Sequence, residues 1–402
     1  MKTNQIREVF EKMEGILQLT PTWVPRPFNR PGRRLRLHPD DYFAMGMERG
    51  AIVERWFSSI THVETKGAGE YEGMSFVNVD DDPEHVILFK DFIDVLGAEL
   101  IGEELMEKYG TWPMFSKFYD YQHPLFHHIH HGEEACKKVG VLPKYEHYFF
   151  PKQYNNHLGA MPVSYFGFDP SVSKEEVIER LSDYANRDTR ITELSRAFRI
   201  ELDTGWYTPV GVVHAPGSLC TYEPQWNSDA MAIWENVVNG EVFLESDLNA
   251  YLPESEKHDI EKIFEVADWE LNTAPDYRER FFHRPQREYE DENCNQKWIV
   301  YGNEYVGAKE LTVYPGKTAV VSDPCAYGCL VIQGHGRFGA YDCESPTLIR
   351  YGELTADEFF VSKSAAGKGV AVTNTSKYEP LVILKHFGPD GNILQGCGTR
   401  SK

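Results

Sequence analysis

The chain has 402 residues, 41% of them hydrophobic and 13% aromatic, and a formal net charge of -21. That length buries a large core and excludes a peptide or a disordered tail, while abundant Phe, Tyr, Val and Ile between closely spaced Gly and Pro argue against an all-α architecture. Acidic groups scattered along the sequence repel phosphate backbones and anionic lipid headgroups within the Debye range, so nucleic acid and membrane partners are disfavoured and the charge serves solubility.

In chain order, MKTNQIREVFEKMEGILQL predicts an amphipathic helix with Ile6, Phe10, Met13 and Leu17 on one face rather than a secretion signal. A Pro/Gly/Arg loop, FNRPGRRLRLHPDDYF, leads to a stretch around GMERGAIVERWFSSI that reads as helical. The guanidinium forks of Arg33, Arg34 and Arg36 in that loop suit anionic oxygens, with a solvated basic loop as the plainer reading. HVILFKDFIDVLGAELIGEELMEKYG reads as an apolar strand and then a helix ending at Gly110, after which Trp112 to about Gly167 is aromatic and alternating. DPSVSKEEVIERLSDYANR predicts a helical insertion over about 170–195, with Val177, Leu181 and Tyr184 on one face.

The polar, helical stretch 246–290 is expected to connect an N-terminal domain, 1–245, to a C-terminal domain, 291–402. The latter has short strands separated by PGK, GHG, YGE and PDG turns, the punctuation of a β-sandwich or barrel. The chain has no apolar run long enough to span a bilayer. Seven cysteines without a framework spacing point to reduced thiols in a cytoplasm, and Cys325 with Cys329 are too few for a zinc site.

Titratable groups are densest in HPLFHHIHHGEEACKKVGVLPKYEHYFFP. His128 and His130 alternate as on a strand and project to one face, where two imidazoles can share a metal. Glu146 opens an aromatic strand that can pair alongside, and in TPVGVVHAPG a turn at Pro209 and Gly211 delivers His214 to a strand start facing a barrel interior. His123, His127 and His131 read as members of a crowded surface loop. Glu134 competes with Glu146 through the spacing HxHxxxE, but lies in EEACKKVG, which reads as a short helix.

These residues carry a resemblance to the zinc-dependent phosphomannose isomerases, a two-cupin family. FSKFYDYQHPLFHHIHH places Lys117 at the family distance ahead of its metal pair, with His128 where the family has glutamine. PKYE is similar to the Lys-Pro-Glu motif and gives Lys144 and Glu146. PVGVVHA matches the turn that supplies His214, and TYEPQWNSDAMAIW puts Glu223, Ser228 and Asp229 at the family spacing. The likeness spans about residues 50–240, and the C-terminal half resembles a second cupin in style.

The resemblance implies a mainly β fold of two cupin (jelly-roll β-barrel) domains with helical insertions and an N-terminal helical segment. It implies a divalent metal on His128, His130, Glu146 and His214, with Lys117, Lys144, Glu223 and Asp229 as catalytic polar groups. Zinc is the first expectation, and three histidines with one carboxylate also suit manganese, iron or nickel. The expected activity is a metal-dependent isomerisation of a sugar or sugar phosphate, the substrate a small carbohydrate. A buried lysine beside a dication is expected to have a lowered pKa.

Two departures bear on function. The family arginine falls on Ile233, which cannot bind an anion. In the C-terminal half Asp323, Cys325 and Tyr327 stand where a metal cupin shows histidines, so that half reads as structural. A metal cupin oxygenase or lyase, and a non-catalytic sugar-binding cupin, are the rival readings.

Overall fold

A computed structural model describes residues 2–157 and 159–391; the last stretch of the expected C-terminal domain, 392–402, lies outside the described residues. Two antiparallel sheets form the N-terminal half. The larger has seven strands in the order Phe282–His283, Gly205–Thr208, Glu146–Phe149, Thr221–Trp226, Met114–Tyr119, Ala51–Phe57 and Thr22–Arg26. The smaller has five: Ser195–Arg199, Val163–Phe168, His214–Ala215, His128–Ile129 and Ala232–Ile233. Tyr119 and Tyr148 of the first pack with Phe166 and Ile233 of the second in one core, which closes the pair into a jelly-roll barrel.

The C-terminal half repeats the plan. Its seven-stranded sheet runs Ile16–Gln18, Glu358–Val361, Tyr327–Gln333, Leu381–Phe387, Gly307–Val313, Cys294–Val300 and Gln286–Glu290, and a four-stranded sheet is built from Thr318–Val321, Val370–Asn374, His335–Phe338 and Tyr341–Glu344. A mainly β fold of two cupins with helical insertions is thus observed.

The two large sheets pack back to back, with Phe118, Phe149 and Tyr222 meeting Ile299, Leu330, Phe360 and Leu384. Strand alternation therefore gives the same strands two chemistries. One face looks into its own barrel, and the other meets the opposite half: Arg55 forms a forked pair with Asp357 at 2.8 and 2.9 Å, and the hydroxyls of Ser116 and Tyr222 each lie 2.9 Å from His386 Nδ1.

This double burial explains the main misreading of local structure. Ala51–Phe57, expected as helix, is a strand buried at every position. A strand covered on both faces shows no period-two alternation, and its internal Glu54 and Arg55 imitate helical patterning. The first helix, Lys2–Lys12, is shorter than expected. Glu14 and Gly15 take left-handed φ of 51° and 78°, turning the chain so that Leu17 joins the strand Ile16–Gln18. The insertion helix, Lys174–Leu181, starts where Ser173 accepts the Glu176 N–H, and buries Val177 and Leu181 against Phe168 and Trp234. Among the described residues no helix is long and apolar enough to cross a membrane.

Candidate metal centre

Register brings the histidines together. His214 and His128 are direct cross-strand partners, so their side chains share a face, and their rings lie 4.1 Å apart between centroids. His130, two residues beyond His128, returns to that face, its ring 5.0 Å from His128 and 5.1 Å from His214. Gly211, at φ 78°, makes the turn expected before His214; its N–H donates to the His130 carbonyl at 2.8 Å, joining the turn to the partner strand.

Each imidazole is oriented by its other nitrogen. His128 Nδ1 meets Phe126 O at 3.1 Å, His130 Nδ1 meets Ala230 O at 2.9 Å, and His214 Nδ1 meets Val212 O at 2.9 Å. A carbonyl accepts only, so all three Nδ1 atoms carry the proton and all three Nε2 atoms present lone pairs. One ligand atom from each histidine lies within 4.8 Å of the others, and all three residues are buried. Burial, followed by the neighbouring His214 and His130, holds His128 well below the usual imidazole range, and burial with Lys144 pushes His130 down to about 4.

The opposite sheet supplies the counter-charge. Glu146 Oε1 lies 3.0 Å from His214 Nε2 and Oε2 lies 3.4 Å from His130 Nε2. Tyr148 donates to Oε1 at 2.7 Å and Lys144 donates to Oε2. Burial opposes ionisation of Glu146, but the Lys144 ammonium outweighs it and keeps the carboxyl well below its ordinary range. His214 Nε2, wholly buried, has no hydrogen-bond partner. A nitrogen lone pair facing a carboxylate oxygen inside a protein is repulsive unless a cation stands between them, so the donor set fits a divalent ion.

Beyond this cluster runs a ladder of charges. Glu223 and Lys117 are direct partners on adjacent strands, and Glu223 Oε1 lies 3.3 Å from Lys117 Nζ and 3.1 Å from Lys144 Nζ. Burial and the Glu146 charge push Glu223 up to about 7 against the pull of the two lysines. Lys144 departs from the sequence expectation: burial lowers it, yet Glu146 and Glu223 outweigh that and hold it above its ordinary value. Asp229 stands at the outer end, bound to Arg26 by two hydrogen bonds of 2.8 and 2.9 Å.

Glu134 sits on the helix Glu133–Val139 with its side chain 89% exposed, paired with Lys137 at 2.7 Å. His127 and His131, expected at the surface, are buried; strand alternation turns His127 away from the cluster to bond Glu235 at 2.8 Å. The arginine loop is solvated only in part, for Arg33 is exposed while its two neighbours in the motif are engaged. Arg34 is buried on Asp120, and Arg36 lies over Tyr154 and donates to Pro346 O at 2.8 Å, tying the two halves together.

The residues missed by sequence reasoning are Arg26, Glu54, Tyr121 and Tyr148. Arg26 and Glu54 are partners at 2.9 Å, and Tyr121 donates to Glu54 at 2.6 Å. Their signal was an arginine and a glutamate inside otherwise apolar runs, TWVPR and AIVERWF, where an unpaired charge would be prohibitive.

No family model matches the chain, and no curated protein sequence matches it significantly. Solved structures do match. The mannose 6-phosphate isomerase from Bacillus subtilis is 16% identical over 93% of this chain and 99% of that one, with a TM-score of 0.61. A variant of the phosphomannose isomerase from Salmonella typhimurium is 9% identical over 93% and 100%, at 0.62. A mannose 6-phosphate isomerase bound with zinc and yttrium is 9% identical over 93% and 99%, also at 0.61. The chain thus has a phosphomannose-isomerase-like fold in a divergent sequence, and the likeness extends beyond residues 50–240 to the C-terminal half.

Proposed function

We propose that the protein is a metal-dependent aldose–ketose isomerase acting on a small carbohydrate. The observation that carries this reading is the convergence of three buried, proton-free Nε2 atoms on the Glu146 carboxylate. In it His128, His130, His214 and Glu146 hold one divalent ion, zinc in the first instance; manganese, iron and nickel suit the same donors. Such an ion polarises a sugar carbonyl and stabilises the negative charge that develops on its oxygen.

The chain's own groups do the rest. Lys144 and Lys117 flank Glu223 and point donors toward the cleft that also holds His128 and Tyr148. Isomerisation passes the hydroxyl proton from O2 to O1 and moves the carbon-bound proton from C2 of the aldose to C1. In our reading Glu223 Oε1 takes the carbon-bound proton and returns it, while the two ammonium groups steady the carboxylate and donate to sugar hydroxyls. Asp229 holds Arg26 and closes the outer end of the cleft, so its role is positioning. Burial of this ladder excludes bulk water, so a transferred proton stays with the substrate. The six cysteines among the described residues are buried and free, which supports the cytoplasmic placement expected from the sequence.

The test is to load the purified chain with zinc and follow a panel of aldoses and ketoses by NMR in deuterated water. Interconversion with the carbon-bound hydrogen largely retained, rather than replaced by deuterium, supports the proposal. No interconversion with any of the four metals contradicts it, and oxygen uptake by the iron-loaded protein would favour the oxygenase reading.

A further inference from the structure

The cleft has an inner and an outer part. The inner part, bounded by Lys117, Lys144 and Glu223, holds about 20 Å³, room for roughly one water. Arg26, Phe28, Asp229 and Met231 line both it and an outer mouth of about 360 Å³, at the lower end of the roughly 300–1,000 Å³ usual for small-ligand sites. A sugar whose carbonyl end reaches inward leaves its far end in this mouth.

Arg26 is the cation best placed to receive a phosphate there, and it is fully engaged. Nε donates to Glu54 at 2.9 Å, Nη1 to Thr65 at 3.0 Å and Asp229 at 2.9 Å, and Nη2 to Glu54 at 3.2 Å and Asp229 at 2.8 Å. A guanidinium has five N–H donors, so none is left for a ligand. Two carboxylates cancel its charge. The rest of the rim is acidic: Glu64, Glu241 and Asp247 stand against a single exposed Lys66. Phe28, Met231, Ile233 and Phe243 add an apolar part to the lining. Tyr251, at a left-handed φ of 61°, is held at the rim by its bond to Glu64.

We infer that the substrate is an uncharged, unphosphorylated sugar. Carboxylates accept hydrogen bonds from hydroxyls, and an apolar lining covers the C–H face of a sugar ring, whereas a phosphate ester would place two negative charges among three rim carboxylates with no vacant guanidinium. The inference takes the orientation of the sugar from the isomerase reading.

The experiment measures binding apart from turnover. Zinc-loaded protein is titrated calorimetrically with sorbitol and sorbitol 6-phosphate, and glucose, mannose and their 6-phosphates are assayed for isomerisation. Sorbitol is expected to bind at least about tenfold more tightly than its phosphate at low salt, the gap narrowing as salt screens the rim. Glu241→Lys and Ile233→Arg are each expected to shift that ratio at least about fivefold toward the phosphate. Equal or tighter binding of the phosphate, or binding of neither polyol, overturns the inference. If sorbitol is preferred but no sugar is interconverted, the isomerase reading fails and the uncharged ligand class stands.

Discussion

The two barrels bury charge in opposite ways. Inside the C-terminal barrel Lys309 and Lys385 both pair with Asp323, Lys309 also reaches Glu288 at 2.8 Å, and Lys385 reaches Gln296 at 3.1 Å. Trp298 and Phe387 cover Lys309, Tyr327 covers Lys385, and every charge has an opposite within the protein. In the N-terminal barrel three histidine lone pairs and a carboxylate converge, with Lys144 as the nearest cation. Among the described residues no second group of His, Cys, Asp or Glu has that metal-binding geometry. Buried charge alone therefore does not make a site; acceptors aimed at one point without enough donors do.

That contrast can be sharpened from both sides. The largest expected effect is kinetic: Glu223→Gln should lower kcat by about 10²–10⁴-fold with bound metal unchanged, because in the proposed reaction the carboxylate moves the proton without ligating. Loss of metal in this variant would merge the ladder with the metal shell and defeat the division of roles. In the other barrel, Asp323→Asn leaves two buried lysines without their main partner and should destabilise by about 3–5 kcal/mol in urea unfolding, again with metal content unchanged. A neutral result there would mean that water, rather than Asp323, compensates the lysines.

A smaller, pH-dependent effect belongs to the seam between the halves. Burial, with Asp357 beside it, pushes Glu358 up to about 8 against the pull of Arg55. Between the ordinary carboxylate range and about pH 8 the folded chain keeps a proton that the unfolded chain has released, so stability falls as pH rises through that window and levels off above it. The loss should be on the order of a few kcal/mol, and Glu358→Gln should flatten the profile. An unchanged slope in that variant would assign the pH dependence to other groups. The smallest effect is none: Glu134→Gln, on an exposed ion-paired side chain, should leave metal affinity and turnover as they are. A weakened metal would reinstate Glu134 as a ligand.

Legibility in the sequence followed burial on one face. Where a strand had one readable face, as at His128 and His130, or a punctuating turn, as at Gly211 before His214, residue spacing sufficed to bring the cluster together. Ser173 and Gly110 marked helix ends in the same local way. Where both faces were buried, as in Ala51–Phe57, the period vanished and a strand was read as helix. Arg26 and Glu54 stayed hidden for a related reason: their partners, Asp229 and Tyr121, lie 203 and 67 residues away, a pairing set by strand order rather than by local pattern.

The central claim is that the N-terminal barrel is built around one divalent cation. Elemental analysis of the purified chain beside His214→Ala tests it most directly, with circular dichroism confirming that both are folded. The account predicts about one zinc, manganese, iron or nickel per wild-type chain and close to none in the variant. A folded wild-type chain that takes up no metal even when supplied with these ions, or a variant that retains it fully, would contradict it.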